Sequence, residues 1–279
     1  MTTVGLLHPG SMGAAIGAQL VRAGARVLWV GEGRSRASRQ RADDAGLEDS
    51  GSLPALVREA EVIVSLCPPA AAEDLAHQVA GHRYAGIYLD ANAITPERML
   101  RIGSALPQAK AVVDGAVVGS PPRAGKTPRL YLAGQAEAVG VLGGLFADTF
   151  VDVRSAGSEL GQASALKLTY STFQKTSRVL VAVTYALAEA HGVRAELEDI
   201  ADLRPGSYLA EPDYIPKTAA RAWRWGPELE EAADFLRGAD LPDGLPREAA
   251  RLLERWAAQK DVTLDINQAL RRLHDGADD

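Results

Sequence analysis

A polar row lies along one predicted helix in the middle of the chain. Lys167, Ser171 and Gln174 are spaced i, i+4 and i+7, so a helix places them on one face, with Tyr170 adjacent. A lysine beside hydroxyl and amide groups could donate a proton to a carbonyl oxygen or take it back. A surface lysine whose stem packs on apolar neighbours is the alternative, and spacing alone leaves both interpretations open.

A glycine turn lies between a short apolar run, Val4–Leu7, and a helical pattern that ends at Ala23-Gly24. A strand, a glycine turn and a helix N-terminus together bind the pyrophosphate of a dinucleotide, because backbone N–H groups and the helix dipole favour negative charge. Because the usual first glycine of the motif is a histidine here, an ordinary turn is the alternative. The predicted cofactor-binding residues of this turn are His8, Pro9, Gly10, Ser11, Met12 and Gly13.

The loop after the second predicted strand carries both an acid and a basic cluster. Glu32 is followed closely by Arg34, Ser35 and Arg36. An acid here binds the ribose hydroxyls of NAD, whereas an arginine with a small hydroxyl residue binds the 2′-phosphate of NADP. Since a guanidinium binds phosphate through two parallel hydrogen bonds, we interpret the cluster as favouring NADPH over NADH. For Arg36, a solvated loop is the alternative.

Two further predicted strands end at the carboxyl edge of the sheet, where ligands bind in open α/β folds. One ends at Leu66 and is followed by Cys67 and Pro68, and the other is followed by Asn92. We assign all four residues to the cofactor site. The Asn92 amide could contact nicotinamide or substrate, and capping of its own loop is the alternative. The lone Cys67 is interpreted as a packed apolar residue and not as a nucleophile.

Composition narrows the class of protein. The chain has 279 residues, a formal net charge of -6 and one cysteine. The negative charge argues against nucleic acid or an anionic membrane as the main partner. Apolar runs are too short to span a bilayer, and because a predicted strand begins at Val4 we expect no signal peptide. A single cysteine excludes an internal disulfide, so we expect a cytoplasmic protein. No metal site is expected.

The elements that must position these residues fall into two groups. Through about residue 155, β-rich runs alternate with helical patterns, which is typical of a parallel sheet covered on both faces. From Gly161 to Ala190 there is no glycine or proline, and apolar residues recur at helical spacing. We predict a Rossmann-like, doubly wound α/β domain over 1–156 and an all-α domain built on the long helix over 157–279. The predicted strands are Val4–Leu7, Arg26–Val30, Val62–Leu66, Gly86–Asp90, Val112–Gly115, Arg129–Ala133 and Phe150–Val153.

The motifs of this chain, taken in their order along the sequence, resemble those of the β-hydroxyacid dehydrogenase family, whose members are relatives of 6-phosphogluconate dehydrogenase. The resemblance extends over nearly the whole chain. The glycine turn resembles that family's cofactor turn, Asp114–Ser120 its substrate segment, and Gly161 with Lys167 its catalytic helix. A less characterised branch with Ala-Trp-Arg-Trp, here Ala222 to Trp225, is the more similar one. The resemblance implies that Lys167 is a general acid/base and that Ser171 is also catalytic. It implies a substrate pocket formed by Asn92, Val118, Gly119, Ser120, Tyr170 and Gln174.

Three departures from the family pattern alter groups that handle a substrate carboxylate. Val118 replaces a serine, Ser171 replaces an amide residue, and Trp225-Gly226 stands where the family has a Lys-Asp pair. Either another residue, such as Arg123 or Lys126, holds an anionic substrate, or the substrate is less acidic and more apolar.

The resemblance implies an NADPH-dependent oxidoreductase that interconverts a β-hydroxy acid, or a related alcohol, with its carbonyl. An imine reductase of the same fold is the first alternative, although such enzymes generally lack the lysine. A protein that binds NADPH without turnover is the second alternative.

We also predict a homodimer through the C-terminal helices, because the apolar positions of the long helix extend beyond one stripe. These positions are Leu166, Phe173, Leu180, Val183 and Leu187.

Overall fold

The computed structural model describes residues 1–260 and 262–274. The chain forms two compact units, Met1–Lys167 and Leu168–Asp279, which we call the N-terminal and the C-terminal unit. This division falls inside the long helix, whereas the sequence analysis placed the domain boundary ahead of it, after residue 156.

The N-terminal unit is built on one sheet in the order β3-β2-β1-β4-β5-β6-β7-β8. Neighbouring strands run parallel except β6 and β7, which are antiparallel. The seven predicted strands are present, Arg129–Ala133 with the predicted bounds and the other six with shifted bounds, and β3 is an additional strand of two residues. The strands are β1 Thr3–Leu6, β2 Arg26–Trp29, β3 Glu48–Asp49, β4 Val62–Ser65, β5 Ile87–Asp90, β6 Ala111–Val118, β7 Arg129–Ala133 and β8 Asp152–Gly157.

Helices follow most of these strands, and polar caps begin several of them. Thr95 accepts a hydrogen bond from the backbone N–H of Arg98, with Pro96 at the first helical position; a threonine followed by a proline in the sequence predicts this helix N-terminus. A single 3₁₀ turn, Pro69–Ala71, precedes α4. The helices are α1 Ser11–Arg22, α2 Arg36–Asp44, α3 Leu53–Glu59, α4 Ala72–Gly81, α5 Pro96–Ala105 and α6 Ala136–Leu145.

Apolar side chains bury both faces of the sheet. Along β4, Val62 and Val64 belong to one core cluster and Ile63 belongs to another. Successive side chains of a strand point to opposite faces, so the two clusters lie on the two sides of the sheet. A parallel sheet that is buried on both faces explains why the strands are read as continuous apolar runs. The predicted doubly wound α/β class is therefore confirmed.

The described part of the C-terminal unit consists of helices and short turns. Trp256 lies at the centre of its core and donates a hydrogen bond from its indole to the carbonyl of Ala269. Trp225 is buried in the same core, whereas Trp223 is partly exposed. Within the described residues, no helix is both long and apolar enough to cross a membrane. The helices are α7 Gln162–Ala190, which begins in the N-terminal unit, α8 Arg194–Asp202, α9 Ile215–Ala219, α10 Ala222–Gly238, α11 Gly244–Glu254 and α12 Ile266–His274.

Candidate active site

The glycine turn lies between β1 and α1, as predicted, with Gly10 as the N-cap of the helix. A Cβ atom at Gly13 would overlap the carbonyl oxygen of His8, so only glycine permits this close approach of helix and turn. The first N–H groups of a helix lack intrahelical partners, and here they face the loop at the carboxyl end of β1. This arrangement suits an anionic group such as a pyrophosphate.

Arg34 lies against the glycine turn. Its Nη1 is 3.1 Å from Nδ1 of His8, and its Nη2 donates to the carbonyl of Leu7 at 3.2 Å. Arg41, which the sequence analysis missed, donates from Nε to the carbonyl of Pro9 at 3.0 Å. Burial, together with the charges of Arg34 and Arg41, lowers the pKa of His8. The turn is therefore flanked by two fixed cations and a neutral imidazole.

The rest of the basic cluster begins helix α2. The hydroxyl of Ser35 accepts a hydrogen bond from the N–H of Ser38 at 3.2 Å and caps the helix. Arg36 is exposed in the first turn, and Glu32 is exposed in the preceding loop. Arg41 projects from the last turn of α2, and the pattern of charged residues around it carries no signal that marks it as a contact of the turn.

Asn92 connects the carboxyl ends of β4 and β5. Its Oδ1 accepts from the N–H of Cys67 at 2.6 Å, and its Nδ2 donates to Ser65 at 3.0 Å and to Asp90 at 2.9 Å. Asp90, Ser65 and Asn92 are all buried. This is the loop-capping geometry weighed in the sequence analysis, and it uses both polar atoms of the amide side chain.

Burial is the largest cause of the pKa shifts of Asp90 and Cys67 in this network. It raises the pKa of Asp90 to about 7, although hydrogen bonds from Asn92 oppose the rise. The pKa of Cys67 rises to about 12, chiefly through burial and partly through the charge of Asp90. Cys67 is therefore a thiol at neutral pH and not a ready nucleophile, as the sequence analysis expected.

Asp114 fixes the beginning of α7 to strand β6. Its Oδ2 accepts hydrogen bonds from the N–H groups of Gly161 and Ser164, both at 2.9 Å, and its Oδ1 accepts from the Ser164 hydroxyl at 2.7 Å. The backbone φ of Gly161 is +97°, a conformation that favours glycine. A buried carboxylate at a helix N-terminus both caps the helix and complements its dipole.

Lys167 meets the predicted substrate segment. Its ammonium group donates to the carbonyl of Val117 at 2.7 Å. Val118 is half-buried beside this contact, and the exposed Gly119 and Ser120 follow it. The N-terminal unit thus brings Lys167 to the segment that contains Val118, Gly119 and Ser120, three of the residues to which the family resemblance assigns substrate binding.

Arg123 and Lys126, the alternative carboxylate ligands, lie in the turn between β6 and β7. Their backbones form two hydrogen bonds with each other, at 3.1 and 2.8 Å, around Gly125. Both side chains are exposed.

The C-terminal unit contains the other predicted site residues. Ser171 is buried, and its hydroxyl accepts a hydrogen bond from Lys175 at 3.3 Å. Lys175 also forms an ion pair with Glu228, and burial lowers the pKa of Lys175 against the opposing effect of that pair. Tyr170 is exposed and Gln174 is half-buried. Lys175 was missed, although its i+4 spacing from Ser171 extends the polar row.

Comparisons with known proteins show which families and folds the chain is similar to. Residues 3–93 match the family described as NADP oxidoreductase, coenzyme F420-dependent, and residues 188–256 match a domain of unknown function. A conserved protein of unknown function, described as structurally similar to 3-hydroxyacid dehydrogenases, is 26% identical. The alignment covers 92% of this chain and 97% of that one, with a TM-score of 0.68.

Two more distant structures share the fold. The 3-hydroxyisobutyrate dehydrogenase of Mycobacterium tuberculosis is 21% identical, with a TM-score of 0.75 over 98% of this chain and 99% of that one. An imine reductase from a Pseudomonas species is 15% identical, with a TM-score of 0.61 over 98% and 99% of the two chains. The resemblance to β-hydroxyacid dehydrogenases is thereby confirmed. These similarities show that the chain has the hydroxyacid dehydrogenase fold and that its residues 3–93 match an NADP oxidoreductase family.

Proposed function

We propose that the chain is an NADPH-preferring oxidoreductase that interconverts a β-hydroxy acid, or a related alcohol, with its carbonyl, with Lys167 as general acid/base. The observation that carries this proposal is the contact of the Lys167 ammonium group with the Val117 carbonyl, at 2.7 Å. That contact holds the lysine beside the substrate segment.

The residues of the glycine turn fit a dinucleotide. Gly13 allows the first turn of α1 to pack against the His8 carbonyl, and Arg34 and Arg41 supply positive charge beside the turn. We assign the pyrophosphate to residues 10–13 and the 2′-phosphate to Arg34, with Ser35 and Arg36. When bound, the nicotinamide supplies hydride to a carbonyl carbon or accepts it from an alcohol.

Lys167 transfers the proton that accompanies the hydride. As an ammonium group it donates a proton to the carbonyl oxygen during reduction, and as an amine it accepts that proton from the alcohol during oxidation. The Val117 carbonyl accepts one of its three N–H bonds and so orients the group. Asp114 holds the first turn of α7 and thereby fixes the position from which Lys167 projects.

We propose the substrate by its class, a β-hydroxy acid or related alcohol and the corresponding carbonyl compound. Val118 removes a hydroxyl donor from the segment, which favours a substrate with a larger apolar part. An imine reductase shares the fold, but a lysine held at the substrate segment favours carbonyl chemistry. We further propose that the protein acts in the cytoplasm, since it has a single cysteine.

Replacement of Lys167 by methionine tests the proposal. Loss of a general acid/base lowers turnover by about a hundredfold to ten-thousandfold. Turnover is measured as NADPH oxidation over a panel of carbonyl acids, neutral ketones and cyclic imines. Lys110→Met, an exposed lysine of the same unit, is the matched control and should keep wild-type turnover.

We expect Lys167→Met to keep the NADPH affinity and the melting temperature of the wild type. Full turnover of Lys167→Met on the best carbonyl substrate would contradict the assigned role. A wild type that reduces only cyclic imines would favour the imine reductase alternative.

A further inference from the structure

Arg178 is a buried arginine of the C-terminal unit that the proposed redox function does not use. It lies on α7, and only 7% of its surface is exposed. Its Nη2 donates to Oε2 of Glu211 at 2.6 Å. Within the part of the chain that the structure describes, its Nε and Nη1 are buried without a hydrogen-bond partner. Buried donors normally find partners, so two unused donors on a charged group require an explanation.

One short segment covers Arg178 with three side chains. Tyr208, Glu211 and Tyr214 are spaced three residues apart across the 3₁₀ turns Tyr208–Ala210 and Pro212–Tyr214. Three residues per turn place such side chains on one face. The Cζ atom of Arg178 lies 3.9 Å from the ring centroid of Tyr208 and 3.8 Å from that of Tyr214. We call residues 207–214 the strap.

The surroundings of the strap carry more positive than negative charge. The ring of Tyr214 also lies 5.5 Å from Nζ of Lys217 and 5.6 Å from Cζ of Arg221, measured to its centroid. Glu211 is the carboxylate that forms an ion pair with Arg178. Asp213 is the second carboxylate of the strap, so three cations, Arg178, Lys217 and Arg221, stand beside two carboxylates, and this local excess of positive charge attracts a further anion.

Glu211 is an incomplete partner for Arg178. A carboxylate that matches a guanidinium forms two parallel N–H···O bonds, whereas Glu211 has one such bond in the structure. The Glu211 side chain is 46% exposed, so it can rotate into solvent without unpacking the core. Its departure would leave a planar cation with free donors between two aromatic rings.

We propose that Arg178 and the strap form a binding site for a carboxylate group of a small molecule, and that Glu211 is the internal competitor which that carboxylate displaces. The ligand carboxylate accepts hydrogen bonds from two nitrogens of the Arg178 guanidinium, and the rings of Tyr208 and Tyr214 flank that guanidinium. Every group involved belongs to the C-terminal unit, so this site stands independently of the proposed cofactor and of Lys167.

Succinate is the probe. It is titrated into the 279-residue chain, and binding is measured by isothermal titration calorimetry. Removing a competing charge-assisted hydrogen bond in Glu211→Gln should tighten succinate binding by about tenfold. Arg178→Lys keeps the charge but loses the planar fork, so it should abolish binding. Glu198→Gln, an exposed glutamate paired with Arg194, is the matched control and should bind like the wild type.

Circular dichroism and the melting temperature establish that each variant is folded, and Glu211→Gln tests the proposal even where Arg178→Lys does not fold. Equal succinate affinity of Glu211→Gln and wild type would overturn it. So would succinate binding that persists in Arg178→Lys, or that is lost in Arg34→Ala. A preference for inorganic phosphate over succinate would overturn the assignment to a carboxylate.

Discussion

His8 occupies the position at which dinucleotide-binding turns usually have a glycine, and its contacts explain how a side chain fits there. The imidazole accepts a hydrogen bond from Arg34 at Nδ1, because a guanidinium can only donate. Arg34 is thereby held over the turn before any ligand arrives. A preorganised cation binds an anionic ligand without paying the full entropy of ordering its side chain.

Arg34→Ala should weaken NADPH binding much more than NADH binding. Loss of a bidentate phosphate contact removes on the order of 1.5–3 kcal/mol, or about tenfold to a hundredfold in affinity. Both affinities are measured by fluorescence titration of the wild type and the variant. Arg58→Ala, an exposed arginine of α3, serves as the control. Equal weakening of both cofactors, or tighter NADH binding by the wild type, would contradict the predicted preference.

Residue types could be predicted from the sequence more readily than their contacts. The row that begins at Lys167 was found because helical spacing is visible in the sequence. Asp114 was recognised only as part of a motif, since its partners, Gly161 and Ser164, lie 47 and 50 residues away. Arg41 was missed for the same reason, because its contact with Pro9 depends on how α2 packs.

At the scale of elements, the ends of β4 and β5 are joined by hydrogen bonds around a carboxyl group that titrates near neutrality. The pKa of Asp90 in the folded protein is about 7, above its ordinary 3.8, because the group is buried. The folded state then binds a proton more tightly than the unfolded chain. The stabilisation is complete below about pH 4 and is lost as the pH rises towards and through 7.

Asp90→Asn should therefore flatten the fall in stability between about pH 4 and pH 7, because the amide stays neutral throughout. At about 1.4 kcal/mol per pKa unit, the Asp90 contribution amounts to at most about 4 kcal/mol. The free energy of unfolding is measured by urea denaturation at several pH values. Asp74→Asn, an exposed carboxyl in α4, is the control. Parallel pH profiles for the wild type and Asp90→Asn would show that Asp90 is ionised throughout.

Strands and helices could be predicted from the sequence wherever consecutive residues of one element carry the pattern that defines it. Apolar runs predicted seven strands, and Thr95 with Pro96 predicted the beginning of α5. Strand β3 could not be found in this way, because two residues define it only through their pairing with Leu28 and Trp29. The strap was also missed, since single 3₁₀ turns have no apolar period.

At the scale of the whole molecule, the long helix presents an exposed apolar stripe. Phe173, Leu180 and Leu187 are 63%, 63% and 59% exposed. They recur every seven residues, so they lie along one side of α7. Monomeric proteins rarely expose a contiguous apolar patch of this kind. A second copy of the chain is the simplest cover, because cyclic dimers are the commonest oligomers.

Light scattering at micromolar concentration should accordingly give twice the mass of one chain. Leu180→Glu places a charge in the middle of the stripe, which must then be desolvated in the dimer, so the variant should be a monomer or dissociate at higher concentration. Leu203→Glu is the matched control, because Leu203 is 81% exposed and lies outside α7. A wild type that stays monomeric with full activity would show that the stripe is not a dimer interface, and a dimer that survives Leu180→Glu would place the interface elsewhere.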